Sequence, residues 1–171
     1  MNRWLIYLLA LGMFLVGTVA MVISGIVDII AADLNISVAV AGQMVTVYSI
    51  SYAIGAPLVV LFTSRWSRKK VLLSALSLFI VGNLLTIIST QLWLILIARA
   101  MLGVAGGVYM IVSLSVAARL VEPQKMGSAI SVIIMGSSSA LVFGVPLGTA
   151  ISQWMSWRWI FGILVILAVF I

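Results

Sequence analysis

One cation interrupts the apolar segment Leu92-Trp93-Leu94-Ile95-Leu96-Ile97-Ala98-Arg99-Ala100-Met101-Leu102-Gly103. An ionised guanidinium among such neighbours is driven toward water unless protein contacts hold it, so charges at membrane depth are rare and by default functional. The alternative is an arginine near the end of a helix whose side chain extends to the membrane surface. We predict that Arg99 faces protein or a water-filled cavity rather than lipid.

The composition of the whole chain also indicates that lipid surrounds much of its surface. Of its 171 residues, 65% are hydrophobic and 7% are charged, whereas about a quarter of a soluble domain is charged. The chain has neither cysteine nor histidine, which excludes disulfides, zinc sites of the Cys/His type and histidine-based catalytic triads. We expect no metal, no cofactor and no enzymatic activity, because no group suited to general acid–base chemistry lies within the apolar segments.

Six apolar segments predict an all-α integral membrane bundle of six transmembrane helices joined by short loops. Five segments reach the length of about 20 residues that a helix needs to cross a bilayer, and the sixth is shorter. The predicted segments are Trp4–Ile26, Val40–Thr63, Val71–Ser89, Leu92–Ala117, Gly127–Ile151 and Trp157–Ile171. Residues 1–171 therefore form one multi-pass membrane domain.

The net charge of +6 lies mostly in the breaks between these segments. No basic stripe with interleaved aromatic residues is present, so nucleic acid is not an expected partner. A cytoplasmic N-terminus places most basic residues inside and only Arg158 outside, as the positive-inside rule favours. The basic residues placed inside are Arg3, Arg65, Arg68, Lys69, Lys70, Arg119 and Lys125. Asp28 and Asp33 are then external; Asp33 is interpreted as a solvated interfacial acid, and Asp28 is a candidate proton or ion site.

Small residues recur at four-residue steps in two segments, which places them along one ridge of each helix. In the fourth segment Gly103 and Gly107 follow Arg99. In the fifth, the ridge is Gly136, Ala140, Gly144 and Gly148, and Pro146 interrupts the helix beside it. Such ridges permit close helix packing, while proline removes a backbone donor and favours a kink. Static packing and a hinge or contact between bundles are both open for the fifth segment.

Several polar residues lie within the apolar segments. Tyr48 and Tyr52 are one helical turn apart, Asn83 is midway along the third segment, and Ser137, Ser138 and Ser139 lie within the fifth. They are candidates for lining an amphipathic cavity, although such residues more often bond locally between helices. Trp154, Trp157 and Trp159 are interpreted as anchors at the membrane interface.

The order of these motifs resembles the N-terminal half of a major facilitator superfamily transporter, in its twelve-helix drug:proton antiporter group. The resemblance rests on residues 24–34, on Ala41-Gly42-Gln43 and residues 52–57, on the arginine and glycines of residues 99–107, on Gly144-Val145-Pro146-Leu147-Gly148, and on residues 157–161. It covers essentially the whole chain and implies a bundle of two inverted three-helix repeats. The group includes exporters of sugars, purines and chloramphenicol.

The resemblance implies an exporter that exchanges a small molecule for protons by alternating access. It implies proton coupling at Arg99, an antiporter-specific packing or hinge motif at Gly144, Pro146 and Gly148, and conformational switching at the basic turn Arg65, Arg68 and Lys69. The turn in that family usually contains an aspartate and a glycine, where this chain has Ser64 and Ser67. Many members also have an acid in the first helix, where this chain has Ala20.

The length of the chain suggests half of such a transporter, because the site of a complete one lies between two six-helix halves. The chain is then expected to end within the sixth helix and to need a second half as partner. A truncated fragment without transport activity and one half of a two-chain or homodimeric carrier are the alternatives.

Overall fold

The computed structural model describes residues 3–171, which fold into six helices. They are α1 (Arg3–Asp33), α2 (Val38–Phe62), α3 (Arg68–Ile88), α4 (Leu92–Leu120), α5 (Pro123–Trp154) and α6 (Arg158–Val169). Five are long and apolar enough to cross a membrane, and α6 has 12 residues. The predicted all-α bundle of six helices is therefore confirmed.

Helix α1 differs most from its predicted span, because it continues for two turns beyond Ile26 and ends at Asp33. Nothing between these residues breaks a helix, and Ile30 is buried, so packing continues to the end. The chain then turns at Asn35, whose φ of 52° lies in the left-handed region that asparagine tolerates. Asp28 consequently lies on the last turns of a helix and not in a loop.

Helices α2 and α5 share a local distortion. Each contains a five-residue π-helical segment, Ser51–Gly55 in α2 and Ala140–Gly144 in α5. Each segment ends two residues before a proline, Pro57 or Pro146. Proline has no N–H and its ring collides with the carbonyl four residues earlier, and a wider turn relieves both problems. Helices α2 and α5 are the second helices of α1–α3 and of α4–α6, and both contain the pattern Gly-x-Pro-Leu. This internal repeat was not recognised from the sequence.

The bundle is organised around α1 and α4. Helix α5 packs along α1, while α2 and α3 both pack along α4, and α6 packs against α3. The apolar core lies between these elements and includes Val19, Ile23, Met44 and Leu102. The polar residue with the largest buried side chain is Arg99, which lies where α1, α2 and α4 meet.

Candidate functional site

Arg99 is completely buried, with 0% of its surface exposed. Its Nη1 donates a hydrogen bond of 3.0 Å to the carbonyl oxygen of Val19 in α1, and its Nε donates one of 3.4 Å to the carbonyl oxygen of Met44 in α2. The guanidinium carbon also lies 4.6 Å from the centre of the Tyr48 ring, within the range of a cation–π contact. The arginine thus holds three helices together and does not extend to the membrane surface.

The guanidinium keeps unused donor capacity. Within residues 3–171, Nη2 of Arg99 has no hydrogen-bond partner although the atom is buried. A buried donor that is unpaired is costly, and such groups in native structures call for an explanation. A guanidinium donor left unused can bind an oxygen of an acid or substrate only in a conformation in which the surrounding helices separate, because Nη2 is buried in this structure.

Gly103 and Gly107 place the backbone of α2 directly on α4. A methyl group added at Gly103 would collide with the carbonyl oxygen of Tyr48 and lie 3.1 Å from the backbone nitrogen of Tyr52. One added at Gly107 would collide with Ala56 and lie 3.0 Å from the carbonyl oxygen of Tyr52. Both glycines therefore face the π-helical part of α2, on the same side of α4 that directs Arg99 toward Met44.

The small-residue ridge of α5 meets α1 within this chain. Side chains added at Gly136, Gly144 and Gly148 would collide with Ala10, Thr18 and Val22, respectively. A Cβ at Gly17 would lie 2.8 Å from that of Ala140. The interpretation of this ridge as a contact between two bundles is thus replaced by packing inside one bundle. Pro146 is exposed beside the ridge, so the proline itself does not contribute to the contact between α5 and α1.

A cavity of about 300 Å³ lies between α1, α2 and α5. Tyr48 and Tyr52 line it, and their rings stack with centres 6.0 Å apart. Ser137 lines it, whereas its neighbour Ser138 is exposed elsewhere on α5. Asn83 is fully buried in α3, where its Nδ2 donates to the carbonyl oxygen of Phe79 at 2.7 Å. Of the candidate lining residues, the structure brings the two tyrosines and Ser137 to this cavity, and Asn83 and Ser138 lie elsewhere.

Asp28 and the basic turn lie apart from Arg99. Asp28 is exposed on α1, about 13 Å along the helix axis from Val19. In the basic turn, Arg65 and Lys69 are exposed and Arg68 is partly exposed. Ser67 caps α3 by accepting a hydrogen bond from the backbone of Lys70. The chain has three acidic residues. Within the described range the two ion pairs are Lys125–Glu122 and Arg158–Asp33, so the basic residues of this turn form no ion pair.

A helix-end clamp, formed by Asp33, Ser89, Trp157 and Arg158, was not expected from the sequence. One carboxylate oxygen of Asp33 accepts 2.7 Å and 3.1 Å hydrogen bonds from Arg158 and from the indole of Trp157. Arg158 also donates to the carbonyl oxygen of Ser89 at 3.2 Å. Asp33 is therefore an ion-pair partner, and Trp157, which is 2% exposed, is a buried residue and not an interface anchor. Trp154 and Trp159 remain exposed.

The helix-end clamp provides a test of the fold by a double-mutant cycle. We expect Asp33→Asn and Arg158→Gln each to lower the free energy of unfolding in detergent micelles, because each variant leaves the partner's charge unpaired. Their coupling should be no more than about 1 kcal/mol, since both side chains are partly exposed. Lys125→Gln, which removes the exposed pair with Glu122, is the matched control. Additive effects of the two clamp variants would show that Asp33 and Arg158 do not interact.

Comparison with known proteins identifies the family to which this architecture belongs. The family model described as Major Facilitator Superfamily matches residues 9–171. The chain belongs to the Major Facilitator Superfamily. The recognition made from motifs is thereby confirmed, and with it a multi-pass membrane protein of a transporter family.

Individual relatives of this superfamily member are bacterial. The uncharacterized MFS-type transporter YbcL of Bacillus subtilis is 39% identical over 97% of this chain and 43% of its own length. A chloramphenicol resistance protein of Streptomyces lividans is 31% identical over 90% of this chain and 39% of its own length. The inner membrane transport protein YdhP of Escherichia coli is 29% identical over 88% and 39%. The chain thus spans about two fifths of the length of these curated relatives.

Proposed function

We propose that this superfamily member forms the N-terminal six-helix half of a carrier that exports a small molecule across the plasma membrane in exchange for protons. The observation that carries the proposal is the buried, three-helix contact of Arg99 with α1 and α2. Alternating access would rock this bundle against a second six-helix half around a site between them. The drug named for the Streptomyces lividans relative, chloramphenicol, is one candidate substrate.

Arg99 supports proton coupling through its fixed charge. A guanidinium stays protonated in proteins, so it does not itself carry the transported proton. Its field favours the ionised form of an acid that approaches it, and its unused but buried Nη2 donor can bind that acid in a conformation in which the surrounding helices separate. Because Asp28 lies too far along α1, we propose that the proton-carrying acid belongs to the second half. Release of that acid from Arg99 on protonation would link proton movement to the change of conformation.

The basic turn supports a cytoplasmic N-terminus. Arg65, Arg68, Lys69 and Lys70 lie at one end of α2 and α3, where no acidic residue offsets their charge. The helix-end clamp and its single cation Arg158 lie at the other end. The positive-inside bias then favours this orientation. We also propose that the turn takes part in switching, with its counter-charge supplied by the second half.

A transport assay on the intact reading frame that contains these residues tests the proposal. Inverted membrane vesicles are energised to generate an acidic lumen, and chloramphenicol, arabinose or adenine is then added. Antiport predicts that one of these substrates releases protons from the lumen and accumulates there, and that a protonophore abolishes the accumulation. Accumulation that is insensitive to the protonophore would contradict proton coupling. Absence of transport would favour the non-transporting alternative.

The same vesicles distinguish a second half in the same frame from a second copy of this chain. Cross-linking of the 171-residue chain in membranes should yield only monomer if the partner half differs from it. A cross-linked dimer together with proton-driven transport by this chain alone would instead identify a homodimeric carrier.

Replacement of Pro146 tests whether the π-helical segment of α5 is used in the conformational change. We expect Pro146→Ala to restore a backbone donor and to convert Ala140–Gly144 toward regular α-helix. The rate at which substrate is exchanged for protons should then fall several-fold. Insertion should be normal, since alanine is a better helix former than proline. Transport rate and proton leak are measured in parallel with membrane protein level. Normal values of rate and leak would contradict a hinge at this position.

A further inference from the structure

The cavity between α1, α2 and α5 has a chemistry that narrows the ligand, and this inference rests on the proposed function for its role in export. We infer that this cavity wall selects neutral, flat aromatic molecules with few hydrogen-bonding groups. The cavity of about 300 Å³ is lined by Met13, Val16, Gly17, Ala20, Met21, Tyr48, Ser49, Tyr52 and Ser137. Its size suits one small molecule, at the lower end of ligand pockets, which measure about 300–1,000 Å³.

The first argument is charge. None of the lining residues is an aspartate, glutamate, lysine or arginine. The nearby cation, Arg99, is separated from the cavity by Tyr48, whose ring it contacts, and its Nη1 donates to the carbonyl of Val19. An ionised ligand placed against this wall would lose its hydration without gaining a counter-charge, which is strongly unfavourable. The wall therefore disfavours both cations and anions.

The second argument is the direction of the tyrosine hydroxyls. The hydroxyl of Tyr52 donates to Sδ of Met110 in α4 at 2.6 Å, away from the cavity. The hydroxyl of Tyr48 is buried and lies against α4, where a Cβ at Gly106 would be 2.8 Å from it. Tyr52, which is partly exposed, consequently offers its ring to the cavity, whereas Tyr48 is 5% exposed and stacks behind it. Ser49 and Ser137 supply its remaining hydroxyl groups, too few for a polyhydroxylated sugar or a nucleobase, whose unpaired polar groups would be costly to bury.

The third argument is the soft apolar surface opposite the rings. Met21 of α1, which is 49% exposed, contributes a flexible, polarisable thioether, whereas Met13 is 3% exposed and lies behind it; thioethers adapt to irregular ligands and make favourable contacts with aromatic rings. Tyrosine rings add offset or edge contacts with an aromatic ligand. A flat aromatic molecule with one or two acceptors matches both surfaces and the two serines.

Equilibrium binding to the full chain in lipid nanodiscs tests the inference without a proton gradient. The probes are coumarin (neutral, aromatic), arabinose (neutral, polyhydroxylated) and tetraphenylphosphonium (cationic, aromatic), with empty nanodiscs correcting for lipid partitioning. We expect saturable binding of coumarin and at least tenfold weaker binding of the other two. Tyr52→Leu should weaken coumarin binding about fivefold to tenfold, whereas Tyr52→Phe, which keeps the ring, should change it less than about twofold.

A charge introduced into the cavity provides a matched pair of variants. Ser137→Asp should strengthen tetraphenylphosphonium binding at least about tenfold and weaken coumarin binding, because it adds a carboxylate to the wall. Ser138→Asp adds the same charge one residue away, outside the cavity, and should change neither by more than about twofold. Equal effects of the two aspartates, tighter binding of arabinose than of coumarin, or no saturable binding of coumarin would overturn the inference. Coumarin binding without proton-driven transport would instead uphold it and count against the proposed function.

Discussion

Arg99→Ala is expected to reduce proton-driven export by the intact transporter to the background rate while the protein still inserts into the membrane. The variant removes the fixed charge and the hydrogen bonds to the carbonyl oxygens of Val19 and Met44. Insertion should be as good or better, because an arginine at the centre of a membrane helix costs about 2.5–3.5 kcal/mol on insertion scales and alanine does not. The measurements are substrate-dependent proton release from vesicles and the level of protein in the membrane.

Conservative variants separate charge from geometry at this position. Arg99→Lys keeps the charge but lacks the planar fork that reaches two helices at once, so we expect little recovery of transport. Arg99→Gln keeps hydrogen-bonding groups without charge and should be inactive if the charge is what matters. Arg119→Ala removes an arginine that is exposed in the last turn of the same helix and should retain export.

Unchanged export by Arg99→Ala would make the arginine a structural residue and would remove the main support for proton coupling. A thermal melt of each variant in detergent checks folding independently. If Arg99→Gln melts like the parent and still exports in response to a proton gradient, the proposed coupling role is also wrong.

Gly103→Ala is expected to lower the free energy of unfolding by about 3 kcal/mol, near the upper end of the usual cost of overpacking. The added methyl group would meet the backbone of α2 at Tyr48 and Tyr52, with the Cβ of Ser51 at 3.0 Å. Backbone atoms cannot rotate away as a flexible side chain can, so α2 must separate from α4. That separation also moves Met44, which accepts a hydrogen bond from Arg99.

Gly162→Ala is the matched control for this substitution. Both glycines lie within helices, but a Cβ at Gly162 meets nothing within 4 Å. Its replacement should be neutral or stabilise the protein by up to about 1 kcal/mol through helix propensity. Reversible unfolding in mixed micelles compares the two variants. A Gly103→Ala protein as stable as Gly162→Ala would show that α2 does not lie as close to α4 as the structure places it.

Two glycines of α4 connect helix packing with the candidate site. Gly103 and Gly107 let the π-helical segment of α2 rest on α4, and this contact brings the ring of Tyr48 over the guanidinium of Arg99. The same close approach positions both tyrosine rings along the cavity. A change at either glycine is therefore expected to affect stability and ligand binding together.

Some features of the site could be predicted because they depend on one segment at a time. Burial of a lone arginine in an apolar helix is costly wherever it occurs, so the run around Arg99 predicts a protein environment without knowledge of the partners. The regular steps of Gly103 and Gly107 likewise predict a close neighbour. Pro146 predicts a distorted fifth helix, and a π-helical segment precedes it; the matching segment before Pro57 was not predicted.

Other features depend on residues far apart in the chain. The acceptors of Arg99 are backbone carbonyls 55 and 80 residues away, and a carbonyl has no side-chain signature that could mark it in a sequence. Asp33 and Arg158 are 125 residues apart, so the helix-end clamp could not be distinguished from two solvated charges. The α5 ridge predicts close packing equally well against α1 or against another bundle.

The amino-acid order alone was enough to establish a six-helix membrane bundle and to single out Arg99, because transfer into lipid is a sum of local contributions along each segment. The choice of Val19, Met44 and Tyr48 as partners of that arginine, of Ser137 over Ser138 as a cavity residue, and of α1 as the neighbour of α5 came from the folded bundle. Those outcomes depend on how helix faces are rotated and shifted against each other, and small steric differences between side chains of distant segments set that arrangement.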